Sequence, residues 1–258
     1  FGIMLSNISS WIETVSEKRW NRAVVLSHFV FAFLIFSPFF LFGRYIVGST
    51  DNFFHHFPNM LYSREMIQNG ELGLWNQYIM CGINFSASTH NLIYYPINLF
   101  ISLFPEKYFF LLMTLRMFIE VWLVGVFGYL FFKEELQDRK WAFFTSSAYQ
   151  LCGYTFFSIT TYANLTHYLL ITIALYVIWT LEQRNSYLSY IYLTICSAAT
   201  ILCGNIVYGY TALFILCILF VYKHWPRSLA SFTRHNVVFY AALVTAVSIS
   251  MVRLLPIV

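Results

Sequence analysis

Apolar residues run through most of this chain in segments of membrane-span length, broken by short polar punctuation. Val24 to Phe42 is the first such run, and further runs read as 108–132, 141–159, 165–181, 187–204, 206–222 and 236–256. A span needs about 20 apolar residues at about 1.5 Å of rise each. The pattern therefore predicts an all-α polytopic membrane protein with about seven transmembrane helices. The division of 187–222 at Gly204-Asn205 is the least sharply marked. Ahead of the first span, Met4, Leu5, Ile8, Trp11, Ile12 and Val15 recur on one helical face, the pattern of an amphipathic helix lying on a membrane surface. Ile93 to Phe104 is apolar but too short to cross, and Pro96 and Pro105 bracket it. This predicts a juxtamembrane or re-entrant helix. Pro58 to Asn69 predicts a second short helix, with Gly70 as its C-terminal stop.

Composition agrees with this pattern. The chain is 59% hydrophobic, 21% aromatic and 10% charged, whereas a soluble domain carries roughly a quarter charged residues. The net charge of +4 is spread over loops rather than clustered, which argues against a nucleic-acid partner and for a topology signal. With the N-terminus inside, the cytoplasmic segments hold Lys18, Arg19, Arg22, Lys133, Arg139, Lys140, Arg184, Lys223, Arg227 and Arg234; outside lie only Arg44, Arg64 and Lys107. The organisation expected is a cytoplasmic amphipathic segment over 1–22 and a transmembrane domain over 23–258, whose first extracytoplasmic loop is 44–107. The start at Phe1 and the stop at Val258 after an apolar run predict a longer parent protein. Cys81, Cys152, Cys196, Cys203 and Cys217 form neither a CxxC pair nor a metal-ligand spacing. The sequons at Asn7, Asn84 and Asn164 matter only for a eukaryotic secretory product.

Candidate chemistry concentrates in 44–91, a polar stretch holding Asp51, His55, His56, Arg64, Glu65, Glu71, Trp75, Asn76, His90 and Asn91. Asp51 follows the first span closely. A carboxylate there suits a general base, or a helix cap or solvated loop acid. His55 and His56 are adjacent, so on a helix they point apart. They suit substrate orientation or a polar turn better than a shared metal. Trp75 and Asn76 offer the aromatic face and amide that hold sugars, or an interfacial anchor. Within the spans, Arg116 and Glu120 stand four apart on one helix face, the spacing of a structural ion pair or an intramembrane functional pair. Arg253, toward the outer end of the last span, could meet a lipid phosphate or snorkel to the interface. Asn164, His167 and Asn205 mark outer ends of spans, as cavity lining or as ordinary interface polarity.

The succession Asp51, Pro58, Arg64-Glu65, Gly70-Glu71, Leu74-Trp75-Asn76, Gly82, Asn91 and Tyr95-Pro96 resembles the YfhO family of bacterial membrane proteins, which is similar to glycosyltransferases of the GT-C superfamily. The resemblance covers the first loop best and is compatible with the spans that follow. Leu72-Gly73-Leu74 departs from it, since a proline commonly precedes the tryptophan region there. The resemblance implies a GT-C-like fold and makes this chain the N-terminal part of a longer protein. It implies transfer of a sugar from a polyprenyl-phosphate donor to an extracytoplasmic acceptor, a cell-envelope polymer or lipid. Asp51 is the position matching the superfamily's catalytic acid. On that footing His55, His56, Arg64, Trp75, Asn76, Asn91 and Tyr95 are the expected substrate contacts, and Arg253 and Arg44 the expected phosphate contacts. The sequence requires no metal or other cofactor, while leaving room for a divalent cation. The competing readings are a lipid or polysaccharide transporter and a non-catalytic envelope-assembly protein.

Overall fold

A computed structural model describes residues 16–44, 52–71, 75–79, 81–85, 94–160, 163–180, 186–203, 206–224 and 234–250. They are mostly helical. Helix α1 (Glu17–Ile35) is followed at once by α2 (Ser37–Phe42), so the first apolar run is not one continuous helix. Phe36 breaks the run, and Pro38 at the start of α2 lacks the N–H that would continue the hydrogen-bond ladder. Gly43, at φ +62°, ends α2 in the left-handed conformation. A π-helical turn over Asn52–His56 leads into α3 (Phe57–Gln68), which stops at Asn69 and Gly70 as its sequence predicts. A two-residue hairpin, β1 (Trp75–Asn76) with β2 (Ile83–Asn84), pairs antiparallel with Trp75 opposite Asn84. The apolar stretch between the prolines becomes α4 (Pro96–Ser102), seven residues long and too short to cross a bilayer.

Helix α5 (Phe109–Leu136) is the mast of the fold. The segment Glu106–Leu136 is the one described helix long and apolar enough to span a membrane by the combined test of length and composition. Asp138 then caps α6 (Arg139–Gln150), its carboxylate accepting from the backbone N–H groups of Lys140 at 2.7 Å and Trp141 at 3.3 Å. The predicted span 141–159 divides at Leu151-Cys152 into α6 and α7 (Gly153–Thr160). The remainder is α8 (Ala163–Trp179), α9 (Ser186–Leu202), α10 (Ile206–His224) and α11 (Arg234–Ile249). The helices on either side of 204–205 place the division of 187–222 where Gly204-Asn205 marks it. Helix α5 packs against α1, α6 and α8, while α9 packs against α8, α10 and α11. One apolar core joins α1, α3, α5 and α8 through Ala32, Phe57, Met113, Val121 and Leu165, and a second joins α8 to α11 through Ile178, Leu216, Phe220 and Phe239.

Polarity is partly inverted. His28, Asn98, Arg116, Glu120, Gln150 and Thr166 are buried, whereas Leu26, Leu34, Phe144, Phe156, Ile195, Phe214 and Val244 face outward. The two ends of the bundle also differ. The start of α1 meets the end of α5, where Lys133 Nζ lies 2.5 Å from Glu17 Oε1 and Trp20 Nε1 donates to Tyr129 Oη at 3.0 Å. Arg139 stacks over Trp20, Trp179 donates to Glu135, and Lys223 donates to the Trp179 carbonyl. Lys18, Arg19, Arg22, Lys133, Arg139, Lys140 and Lys223 therefore share one end. The segments containing α3, the hairpin and α4 lie at the other, where Asn52 Nδ2 donates to Thr160 O at 2.7 Å.

A buried polar knot locks α1, α5 and α6. Gln150 Nε2 donates to the carbonyls of His28 and Val121, which fixes its amide orientation, so Gln150 Oε1 accepts from His28 Nδ1–H at 2.7 Å. Ser146 Oγ lies 3.1 Å from His28 Nε2. Gly125 makes room for this: a Cβ there would sit 2.5 Å from His28 Nδ1 and 2.7 Å from Gln150 Oε1. Gly125→Ala should destabilise the fold by about 1–3 kcal/mol, read as a lowered thermal midpoint. Gly153→Ala, where a Cβ meets nothing within 4 Å, should stay within about 0.5 kcal/mol of the parent.

Candidate functional site

The loop after the first apolar run builds a cavity of about 380 Å³. Helix α3 supplies Tyr62, Arg64 and Glu65, the hairpin region supplies Asn76 and Tyr78, and Glu106 closes one side. Helix α3 is held against the end of α4 by long polar side chains. Arg64 Nε donates to Phe104 O at 3.1 Å, Gln68 Nε2 donates to Ser102 O at 3.2 Å, and Arg64 Nη1 lies 3.8 Å from Glu106 Oε2. The hairpin is tied to α3 from the opposite side. Tyr62 Oη donates to Trp75 O at 2.5 Å, and the Tyr62 ring meets Phe85 edge-on at 5.0 Å, with Phe85 fully buried. Asn76 is buried, its Oδ1 accepting from Tyr78 N–H at 2.9 Å. Loss of solvent first, then the Tyr78 phenol and the Glu71 and Glu65 carboxylates, hold the Tyr62 phenol above its ordinary pKa, so it stays a neutral donor.

Gly82 explains how the hairpin closes. At φ +111° its backbone is in a region open to glycine, and a Cβ would sit 2.6 Å from Trp75 Cζ2. The indole lies directly over this residue while more than half of it remains exposed, at 58%. The ring is thus an exposed aromatic held in place by the hairpin turn, one residue from Asn76 in the cavity wall.

Beneath the loop lies a charged network enclosed by helices. Arg116 Nε lies 2.9 Å from Glu120 Oε1, one turn along α5, with both side chains buried. Arg116 Nη1 donates to Asn98 Oδ1 of α4 at 2.7 Å, and Nη2 donates to the Thr166 hydroxyl of α8. Thr166 in turn donates to Glu120 Oε1 at 2.9 Å. Tyr95 Oη reaches Glu120 Oε1 at 3.4 Å, and the Arg116 guanidinium lies 5.1 Å from the Tyr95 ring centroid. The i, i+4 spacing is thus a buried ion pair, and its further bonds attach α4 and α8 to the mast.

The expected site residues separate into groups. Arg64 and Asn76 line the cavity, whereas Trp75 does not, its ring lying against Gly82. Tyr95 belongs to the network beneath it. His56 is buried at the start of α3, and Arg44 is exposed past α2 with its guanidinium 5.8 Å from the Phe42 ring. Asp51, Asn91 and Arg253 lie outside the described residues, as do the side chain of His55, the 3–15 segment and Asn205. Asn164 and His167, expected at an outer span end, are both buried near the start of α8. Sequence reasoning did not single out Tyr62, Tyr78 or Glu106 for the cavity, nor Asn98 and Thr166 for the network. Asn98 carried a signal, being a lone amide in a short apolar helix; Glu106 carried none. Among the described residues no group of three or more His, Cys, Asp or Glu side chains is placed to hold a metal ion. Comparison of the chain with protein-family models, curated proteins and solved structures finds no match.

Glu120→Gln leaves the Arg116 charge buried without its counter-ion, and should cost about 3–5 kcal/mol of stability. The double variant Arg116→Met/Glu120→Leu should recover most of that loss in thermal unfolding. It should nonetheless speed proteolysis near α4, because the bond from Arg116 to Asn98 that ties α4 to α5 is lost.

Proposed function

We propose that this chain is a multi-pass membrane protein that transfers a sugar from a polyprenyl-phosphate donor to an extracytoplasmic cell-envelope acceptor, with Asp51 as the general base. The membrane part rests on the buried polar network, the outward apolar side chains and the helix lengths. Helices α1, α8, α9 and α10 hold 19, 17, 17 and 19 residues, within the range of a span at about 17–25. The basic end would be cytoplasmic by the positive-inside rule, which puts the cavity outside.

The cavity is the observation that carries the sugar-transfer reading. It gathers a cation, carboxylates, an amide and phenols, at the bundle end where a lipid-linked sugar would emerge. Such a mix of donors and acceptors suits vicinal hydroxyls. The resemblance of the loop to the GT-C-like family supports the same reading. Asp51 directly precedes Asn52, whose buried side chain is bonded to Thr160 O, so the backbone next to it is anchored to the bundle.

In the proposed reaction Asp51 takes the proton from the acceptor hydroxyl while that oxygen attacks the anomeric carbon. The bond from that carbon to the phosphate oxygen breaks with inversion, and the polyprenyl phosphate leaves with the electron pair. Arg44 or Arg253 would offset the charge on the departing phosphate.

Asp51→Asn should lower sugar transfer by about 10²–10⁴-fold in membranes supplied with labelled polyprenyl-linked donor, at unchanged expression. Full transfer by that variant would falsify the assignment. Movement of labelled lipid without any new glycosidic bond would identify a transporter instead.

A further inference from the structure

A second concave site lies at the opposite, basic end of the bundle. It is a groove of about 560 Å³ between α1 and α5, lined by Lys18, Asn21 and Arg22 at its mouth and by Val25, Leu26, Phe29 and Trp122 along its length. These α1 positions recur every three or four residues and so form one helix face. Val25, Leu26 and Phe29 are exposed, and Trp122 forms the opposite wall. The indole is held by a bond from Nε1 to Val25 O at 3.1 Å and by edge-on contact with Phe29, with centroids 5.6 Å apart. The groove is therefore a braced feature.

We infer that this groove binds one anionic phospholipid, its phosphate at Lys18 and Arg22 and one acyl chain along Val25, Leu26, Phe29 and Trp122. The inference rests on the membrane-spanning part of the proposed function and is independent of sugar transfer. Charge complementarity selects an anionic headgroup. Among the described residues no carboxylate lies within ion-pair distance of Lys18 or Arg22, and the adjacent acid, Glu17, is engaged by Lys133 at 2.5 Å. Length selects a lipid rather than a free phosphate. From Lys18 to Phe29 the helix rises about 16 Å, close to one leaflet's share of a hydrocarbon core about 30 Å thick. Cations at one end and apolar walls for the following two turns match a headgroup joined to its chain.

The test uses the full chain purified from membranes and reconstituted in vesicles of phosphatidylcholine with a minor fraction of phosphatidylglycerol. Retained lipid is read by native mass spectrometry after extraction. The parent should keep one phosphatidylglycerol in preference to phosphatidylcholine. Lys18→Gln/Arg22→Gln should weaken that preference by about ten-fold or more. Val25→Trp, which fills the groove and keeps both charges, should weaken it too. Arg19→Gln, about 100° around the helix from Lys18, should leave it unchanged. Equal losses on Arg19→Gln would mean general attraction to an anionic surface and overturn the site. So would undiminished retention in the other two variants, a preference for polyprenyl phosphate, or a lipid-free dimer closing the groove. Alkaline carbonate extraction separates the two readings. A chain that stays in the membrane pellet yet shows no preference loses only the groove, whereas a chain released by carbonate loses the membrane reading as well.

Discussion

The buried Arg116–Glu120 pair is the constraint on which the arrangement of this molecule turns. Removing two charges from water costs several kcal/mol for each ion, and mutual attraction offsets that only if the remaining donors and acceptors are satisfied. Here they are satisfied from outside α5. Asn98 comes from α4, Thr166 from α8 and Tyr95 from the residue ahead of α4. The pair therefore penalises any arrangement in which α4 or α8 drifts from the mast. Packing between apolar helices imposes no comparable direction, because a hydrophobic face tolerates small rotations and a guanidinium fork does not.

Two polar clusters divide the work along α5. The His28–Gln150–Ser146 knot fastens α1 and α6, with Gly125 giving the space. The Arg116–Glu120 network fastens α4 and α8. Together they fix both flanks of α5, and the loop then builds on α4. Arg64 and Gln68 bond to the carbonyls at the end of α4, so α3 inherits its position from the network through a short chain of hydrogen bonds. The cavity is the space left between α3, the hairpin and Glu106. Its shape thus depends on charges buried beneath it, though Arg116 and Glu120 do not line it.

Much of this was legible in the chain. Local rules found α3 from Pro58 and Gly70, α4 from its bracketing prolines, and the ion pair from a four-residue spacing. They missed the breaks inside two apolar runs, because hydropathy averages over Pro38 and over Leu151-Cys152-Gly153 without registering that the ladder stops there. They also could not name Thr166 and Asn98 as the partners of Arg116, since those residues are 50 and 18 positions away and only tertiary packing joins them. The expected substrate residues separated for the same reason. Tyr95 looked like part of the loop by sequence position, but the proline that starts α4 sets it at the helix boundary, where its ring lies against Arg116.

The division between network and cavity also bears on which groups could do chemistry. Glu120 is a carboxylate in the bundle, but Arg116, Thr166 and Tyr95 all bond to it. Those bonds make it part of the scaffold, and it does not line the cavity, so it is not placed to meet a substrate bound there. Glu106 is exposed and faces Arg64, which suits orientation of that cation more than proton removal. Glu65 lines the cavity, and is the described carboxylate there with no ion pair. In the proposed reaction it would serve as a hydrogen-bond acceptor for sugar hydroxyls, leaving proton removal to Asp51. The two carboxylates make different demands on a variant: loss of Glu65 should chiefly raise the KM for donor or acceptor, and loss of Asp51 should chiefly lower kcat. The assignment of roles fails if a Glu65→Gln enzyme at saturating substrates loses as much turnover as an Asp51→Asn enzyme.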